Sequence, residues 1–183
     1  MTSESKINAG KAKSQNKIVG ALFALMQTKP FDGISVTELC DAAGVVRKTF
    51  YRNFASKEAV VEFEFDKMFA GLAERFDAEN ARSRDMLEYC FEFIASERGF
   101  SSAFIDRGLH DVVNKKIREC VETFFVNSLH NAVAFDPMLG DYYTTFIADG
   151  ILSVFRTWIN GGCKQSPATM APLSVRLLGV VIT

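Results

Sequence analysis

Apolar residues recur at helical spacing along most of this chain. Ile18, Leu22 and Leu25 stand four and three apart with Val19, Phe23 and Met26 beside them, which predicts a helix over 14–28 with a broad buried face. Lys29-Pro30-Phe31-Asp32-Gly33 ends it, because proline restricts the residue before it and Asp-Gly favours a turn. Ser35-Val36-Thr37-Glu38 then fits a capping box, with Ser35 accepting from the Glu38 amide and the Glu38 carboxylate reaching back to the Ser35 amide. The short helix that follows turns Val36, Leu39, Cys40 and Ala43 inward and stops at Gly44, where a left-handed backbone costs least. A second helix starts within a residue or two, anchored by Val46, Phe50 and Phe54 at i, i+4 and i+8. Helices joined by so short a turn cross steeply, as in a helix-turn-helix.

Ser56 caps a long amphipathic segment over 56–80, carrying Val60, Val61, Phe63, Phe65, Met68, Phe69, Leu72 and Phe76. Further helices are expected at 84–97, 101–107, 109–132, 141–160 and 167–181, the last opened by Ser166-Pro167. No alternating strand pattern of useful length and no internal repeat interrupts them. The expected fold is all-α, about nine helices. A flexible basic arm (1–13) precedes a helix-turn-helix domain (14–60) and a larger helical bundle (61–183).

Charge sharpens this division. Residues 1–60 carry nine Lys and Arg against five acids, and residues 61–183 carry twelve against seventeen, so one end suits a polyanion and the other does not. The arm's Lys6, Lys11 and Lys13 suit phosphate contacts. On the second helix of the pair, Arg47, Lys48, Thr49, Tyr51 and Arg52 remain on or near the open face. Arg or Lys to guanine is the commonest base contact in the major groove, and flanking donors on phosphates fix the register of such a helix. Ser35 and Thr37 at one helix start and Lys57 at another suit that second task.

Cys40, Cys90, Cys120 and Cys163 are widely spaced, and His110 and His130 stand apart, so no zinc spacing is present and reduced, mostly buried thiols are expected. GxSxG, GxGxxG, P-loop and HExxH motifs are all missing, which argues against an enzyme. No apolar run approaches the roughly 18 residues that span a bilayer, and the polar N-terminus has no secretory h-region. The expected location is the cytoplasm, with no cofactor and no metal.

From about Ser14 to Phe65 the chain resembles the DNA-binding domain of the tetracycline-repressor (TetR) family of bacterial regulators. The resemblance rests on Ile34-Ser35-Val36-Thr37-Glu38-Leu39, Ala43-Gly44-Val45, Thr49-Phe50-Tyr51-Arg52-Asn53-Phe54 and Lys57-Glu58. It implies a homodimer whose second helices enter successive major grooves of a near-palindromic operator. It also implies DNA-contact positions at Thr37, Arg47, Lys48, Thr49, Tyr51, Asn53 and Lys57, with Tyr51 and Lys57 on phosphates. Many members have His where this chain has Asn53, which still donates.

The seventeen Phe of the chain admit two readings, core filling or an apolar cavity between helices. The resemblance favours a small apolar or aromatic effector, with Met86, Tyr89, Cys90, Phe93, Phe104, Phe124 and Phe125 as candidate contacts. The stretch from Asp141 to Ile159 resembles the C-terminal domain of one subgroup of the family, whose last two helices pair between subunits. Tyr142, Thr145, Asp149, Trp158 and Leu177 are the interface candidates, and Gly150, costly in mid-helix, suggests close approach of another helix. Together these features imply a dimeric regulator, a repressor released by its effector. The alternative is a TetR-like co-regulator or protein interaction module that does not bind DNA.

Overall fold

The structure, a computed structural model, describes residues 3–76, 82–97, 99–125 and 140–179, with side chains from Gly10 to Phe124 and from Tyr142 to Leu178 within those spans. Nine α-helices and no strand occur among the described residues. Helix α1 (Ser3–Met26) buries Ile18, Val19, Leu22, Phe23 and Met26, the apolar face that the spacing defines. Its first turns correct one expectation: residues 3–13 continue the helix instead of forming a flexible arm. Lys and Ala are good helix formers, and this stretch holds no proline to break the run.

After Pro30 a single 3-10 turn (Phe31–Gly33) tucks the Phe31 ring into the core. Helix α2 (Val36–Ala43) is capped by Ser35, whose Oγ accepts from the Glu38 amide at 3.1 Å. The other half of the capping box is weaker than the sequence suggests. The Glu38 carboxylate takes both oxygens to the Lys29 ammonium, and that bond, well ahead of the Ser35 amide, holds its pKa below the usual carboxylate range. Gly44 closes α2 at φ 63, letting the Val45 amide bond the Cys40 carbonyl at 3.0 Å.

Helix α3 (Arg47–Asn53) follows, and then α4 (Lys57–Arg75), capped by Ser56. The bundle comprises α5 (Ser83–Ser96), α6 (Ser101–Ile105), a 3-10 turn (Arg107–Leu109), α7 (His110–Cys120) running into a π-helical turn (Val121–Phe125), α8 (Gly140–Asn160) and α9 (Pro167–Gly179). The expected helix over 109–132 thus changes its winding after Cys120, and residues 126–139 lie outside the described set. Pro172 sits inside α9, where it withholds the amide that the Ala168 carbonyl would otherwise accept.

Packing is aromatic. Phe23 of α1 meets Phe100 at 5.7 Å between ring centroids, Phe100 meets Phe104 at 5.5 Å, and Phe104 meets Phe155 at 5.7 Å. Phe91 continues the chain, 4.7 Å from Phe155 and 5.0 Å from Trp158. These edge-to-face pairs add roughly 0.5–1.5 kcal/mol each beyond area burial. They run without a gap from the first helix to α8.

A polar clasp ties the same two regions. The Asp106 carboxylate accepts from the Phe31 amide at 2.9 Å with one oxygen and from the Gly108 amide at 2.8 Å with the other. A Cβ at Gly108 would stand 2.6 Å from an Asp32 carboxylate oxygen, so a larger residue there would push the exposed Asp32 side chain aside.

Candidate nucleic-acid interface and regulatory surfaces

Helix α3 is held from beneath by Phe50 and Phe54, both buried. Val46 departs from its expected anchoring role. It adopts an extended backbone (φ −81, ψ 152) as the N-terminal cap, which takes it out of the helical period and leaves it 68% exposed. Val46 therefore joins the open face, an apolar contact that the i, i+4 spacing conceals.

Arg47, Lys48, Tyr51 and Arg52 are exposed on that face and Thr49 is half-buried. The three cations have no ion-pair partner among the described residues. The Arg47 guanidinium lies 5.9 Å from the Tyr51 ring centroid, and Tyr51 packs edge-on against Phe50 at 5.2 Å. Packing thus presents the phenol without burying it. Thr37 is exposed at the start of α2, and Ser35, also exposed, uses its Oγ on the cap.

Two of the expected contact residues have internal partners. The Asn53 amide donates to the Thr49 carbonyl at 2.7 Å, and its Oδ1 is buried without a donor among the described residues. The Lys57 ammonium donates to the carbonyls of Phe31 and Ile34 at 3.0 and 2.5 Å and lies 4.4 Å from the Phe31 ring centroid. Two of its three donors therefore brace the turn before α2. Sequence spacing gave no sign of this, since the partners lie more than twenty residues away.

In the bundle, Met86, Cys90, Phe93, Phe104 and Phe124 are buried and Tyr89 is half-buried; the Phe125 side chain lies outside the described set. Of these only Cys90 borders the space enclosed with Met68, Leu87, Ile117 and Phe155, which is about 10 Å³, roughly one water. Beside it the Cys120 thiol is pushed well up by its hydrogen bond to Cys90 and by burial, so Cys120 packs as a neutral thiol. Burial also raises Cys40 and Cys163. No group of His, Cys, Asp and Glu among the described residues is placed to hold a metal. Tyr89 lies against α4, where a Cβ on Gly71 would fall 1.9 Å from its hydroxyl.

Of the interface candidates, Tyr142 (74% exposed), Asp149 and Leu177 face outward. Thr145 is half-buried and accepts from Arg118 at 2.7 Å. Trp158 belongs to the subunit core instead: it is 3% exposed and donates from Nε1 to the Gln165 carbonyl. The helix that crowds Gly150 is α9 of the same chain, with Leu178 Cδ2 3.3 Å from a Cβ built there. Phe146 and Leu173 are exposed too, one turn from Tyr142 and Leu177 respectively. That i, i+4 spacing was the signal that would have found them.

Comparison with known proteins places this geometry. Solved structures similar to it include a TetR transcriptional regulator from Streptococcus agalactiae, with 13% identity, a TM-score of 0.67 and coverage of 96% of this chain and 98% of that one. They also include the dihydroxyacetone kinase operon activator DhaS, with 20% identity, a TM-score of 0.63 and coverage of 92% and 96%. The regulator RolR, solved with its ligand resorcinol, matches at 14% identity and a TM-score of 0.57, with coverage of 92% and 89%. At these identities the likeness is one of fold. None of the curated proteins matches the chain significantly. The family model for bacterial regulatory proteins of the tetR family matches residues 18–62, and that for a transcriptional regulator C-terminal region matches residues 82–178. With that second match alone spanning more than half of its 183 residues, the chain belongs to the TetR family of transcriptional regulators, DNA-binding proteins that are not enzymes.

Proposed function

We propose that this regulator acts as a homodimeric repressor that reads a near-palindromic operator with α3 and is released by a small-molecule effector. The observation that carries the reading is the bare cationic face of α3. Arg47, Lys48 and Arg52 lack ion-pair partners among the described residues and flank Tyr51 and Thr49 on a helix anchored by Phe50 and Phe54. Arg47 and Lys48 are the base-reading side chains, with Val46 available to a thymine methyl. Thr37, Tyr51 and Arg52 fix the register on phosphates, with Ser35 and Asn53 at the margins and Lys57 bracing the domain beneath.

Dimer formation is supported by the exposed apolar pairs Tyr142 and Phe146 on α8 and Leu173 and Leu177 on α9, since clustered exposed apolar side chains mark interaction surfaces. Two readers held about 34–36 Å apart match one turn of DNA. Effector release is supported by the family and by the RolR neighbour solved with resorcinol. An apolar effector enters the Phe-rich core only where rings now in contact move apart. The described helices include none long and apolar enough to cross a membrane, consistent with a cytoplasmic regulator.

The test is a fluorescence-anisotropy titration of the full chain against DNA flanking its own gene, over a salt series. Affinity should fall steeply with salt, and Arg47→Ala and Tyr51→Ala should each weaken it about tenfold or more. Absence of binding at low salt would refute the repressor reading and favour a co-regulator that does not bind DNA. Sedimentation of Leu177→Asp as a monomer, against a dimeric parent, checks the role of these side chains.

A further inference from the structure

A polar cleft opens between α7 and α8. It has two lobes of about 400 and 410 Å³ that share His110, Arg156 and Asn160. The first reaches Asp106 and Arg107 at the clasp, and the second reaches Asn114 and Asp149.

Three features of this cleft are incomplete in the free chain. Arg156 is half-buried, and its Nε donates to the Phe104 carbonyl at 2.8 Å, which fixes the guanidinium and leaves its terminal nitrogens without a described partner. Burial holds its pKa below the ordinary value, with Asp149 opposing, yet the two form no salt bridge. The Asn114 Oδ1 is buried with no donor. Asp149 and Arg156 are seven residues apart on α8, so their Cα atoms are about 10 Å apart along the axis. Asp149 and Arg156 both line the second lobe without a salt bridge between them, and a ligand that carries both complementary charges would engage each. An α-amino acid carries both charges. Its carboxylate takes the Arg156 fork and its ammonium takes Asp149, each through a charge-assisted bond of about 2.8 Å.

We infer that this cleft is a binding site for a small zwitterion of the α-amino acid class. The inference goes beyond the operator reading and does not rest on it. Occupancy would bear on the DNA-binding domain through the first lobe, whose Asp106 bonds the Phe31 amide.

Isothermal titration of the full chain without DNA, against glycine, L-alanine, L-serine and L-glutamine, tests the inference. Propionate and ethylammonium serve as single-charge controls. At least one amino acid should bind saturably and at least tenfold more tightly than either control. Asp149→Asn, an exposed position, should weaken that binding about tenfold while leaving the melting temperature unchanged, and Arg156→Gln should abolish it. Lys48→Ala should leave it intact. Lack of saturation by all four amino acids overturns the inference, as does equal binding of propionate or an undiminished affinity in Asp149→Asn. Because the titration contains no DNA, its failure is separable from failure of operator binding.

Discussion

The clasp at Asp106 makes the most direct prediction about how the two domains hold together. Its carboxylate accepts two backbone amides, from Phe31 and Gly108, and the first belongs to a residue whose ring is buried. Asp106→Ala would leave the part-buried Phe31 amide without an acceptor, at a cost of about 1–3 kcal/mol. The exposed Gly108 amide would turn to water, adding about 0.5 kcal/mol. With an unfolding entropy near 2.1 cal/mol/K per residue, a chain of this size loses roughly 3 °C in melting temperature per kcal/mol. The expected shift is therefore roughly 4–10 °C downward by calorimetry. Hydrogen exchange adds a local readout, since the Phe31 amide should lose protection before those of α5. Asp106→Asn keeps one acceptor oxygen for Phe31 and should shift the melt by less than half as much. A melt within about 1 °C of the parent, with Phe31 protection unchanged in Asp106→Ala, would refute the clasp as a stabilising contact.

Other consequences follow from single contacts. Gly71→Ala drives a Cβ to 1.9 Å from the Tyr89 hydroxyl, so it should destabilise by about 1–3 kcal/mol. Tyr89→Phe in the same background should recover part of that loss in urea denaturation. Val46→Ser gives α3 the side-chain cap it lacks and should stabilise by about 1 kcal/mol, while weakening any operator with thymine at its contact. Burial, partly offset by Lys67, holds the Glu64 carboxyl above its ordinary value of 4.5, so the folded state binds its proton more tightly than the unfolded state. Its contribution therefore falls as pH rises from about 4.5 through the raised pKa. Glu64→Gln should flatten that part of the profile in urea midpoints measured from acid to neutral pH.

What was legible in the chain was what local chemistry decides. The Ser35 cap, the left-handed Gly44 and the Phe50–Phe54 anchor all act within a few residues, and α2, its turn and α3 stand where those signals put them. Val46 misled because a regular period extends one residue beyond the helix into its cap. Sequence spacing makes Glu38 a capping partner and Lys57 a phosphate donor. Their partners, Lys29 on one side and the Phe31 and Ile34 carbonyls on the other, are set by folding and not by spacing. Asp106 gave no signal at all, since its partner lies 75 residues away. Trp158 is an interface candidate by the resemblance of its stretch, and the interior claims it through Phe91 and the Gln165 carbonyl.

The line of rings from Phe23 to Trp158 bears on how such regulators can be recombined. A graft that exchanges residues 1–55 for those of another family member would keep Ser56 and the capped start of α4 yet sever the line at Phe23–Phe100. The donor would have to bring an aromatic of matching reach at that point of its first helix, or the recipient a smaller residue at Phe100. Modularity here is limited by one ring meeting another across the seam, so compatible donors are better chosen by that pair than by the operator they read.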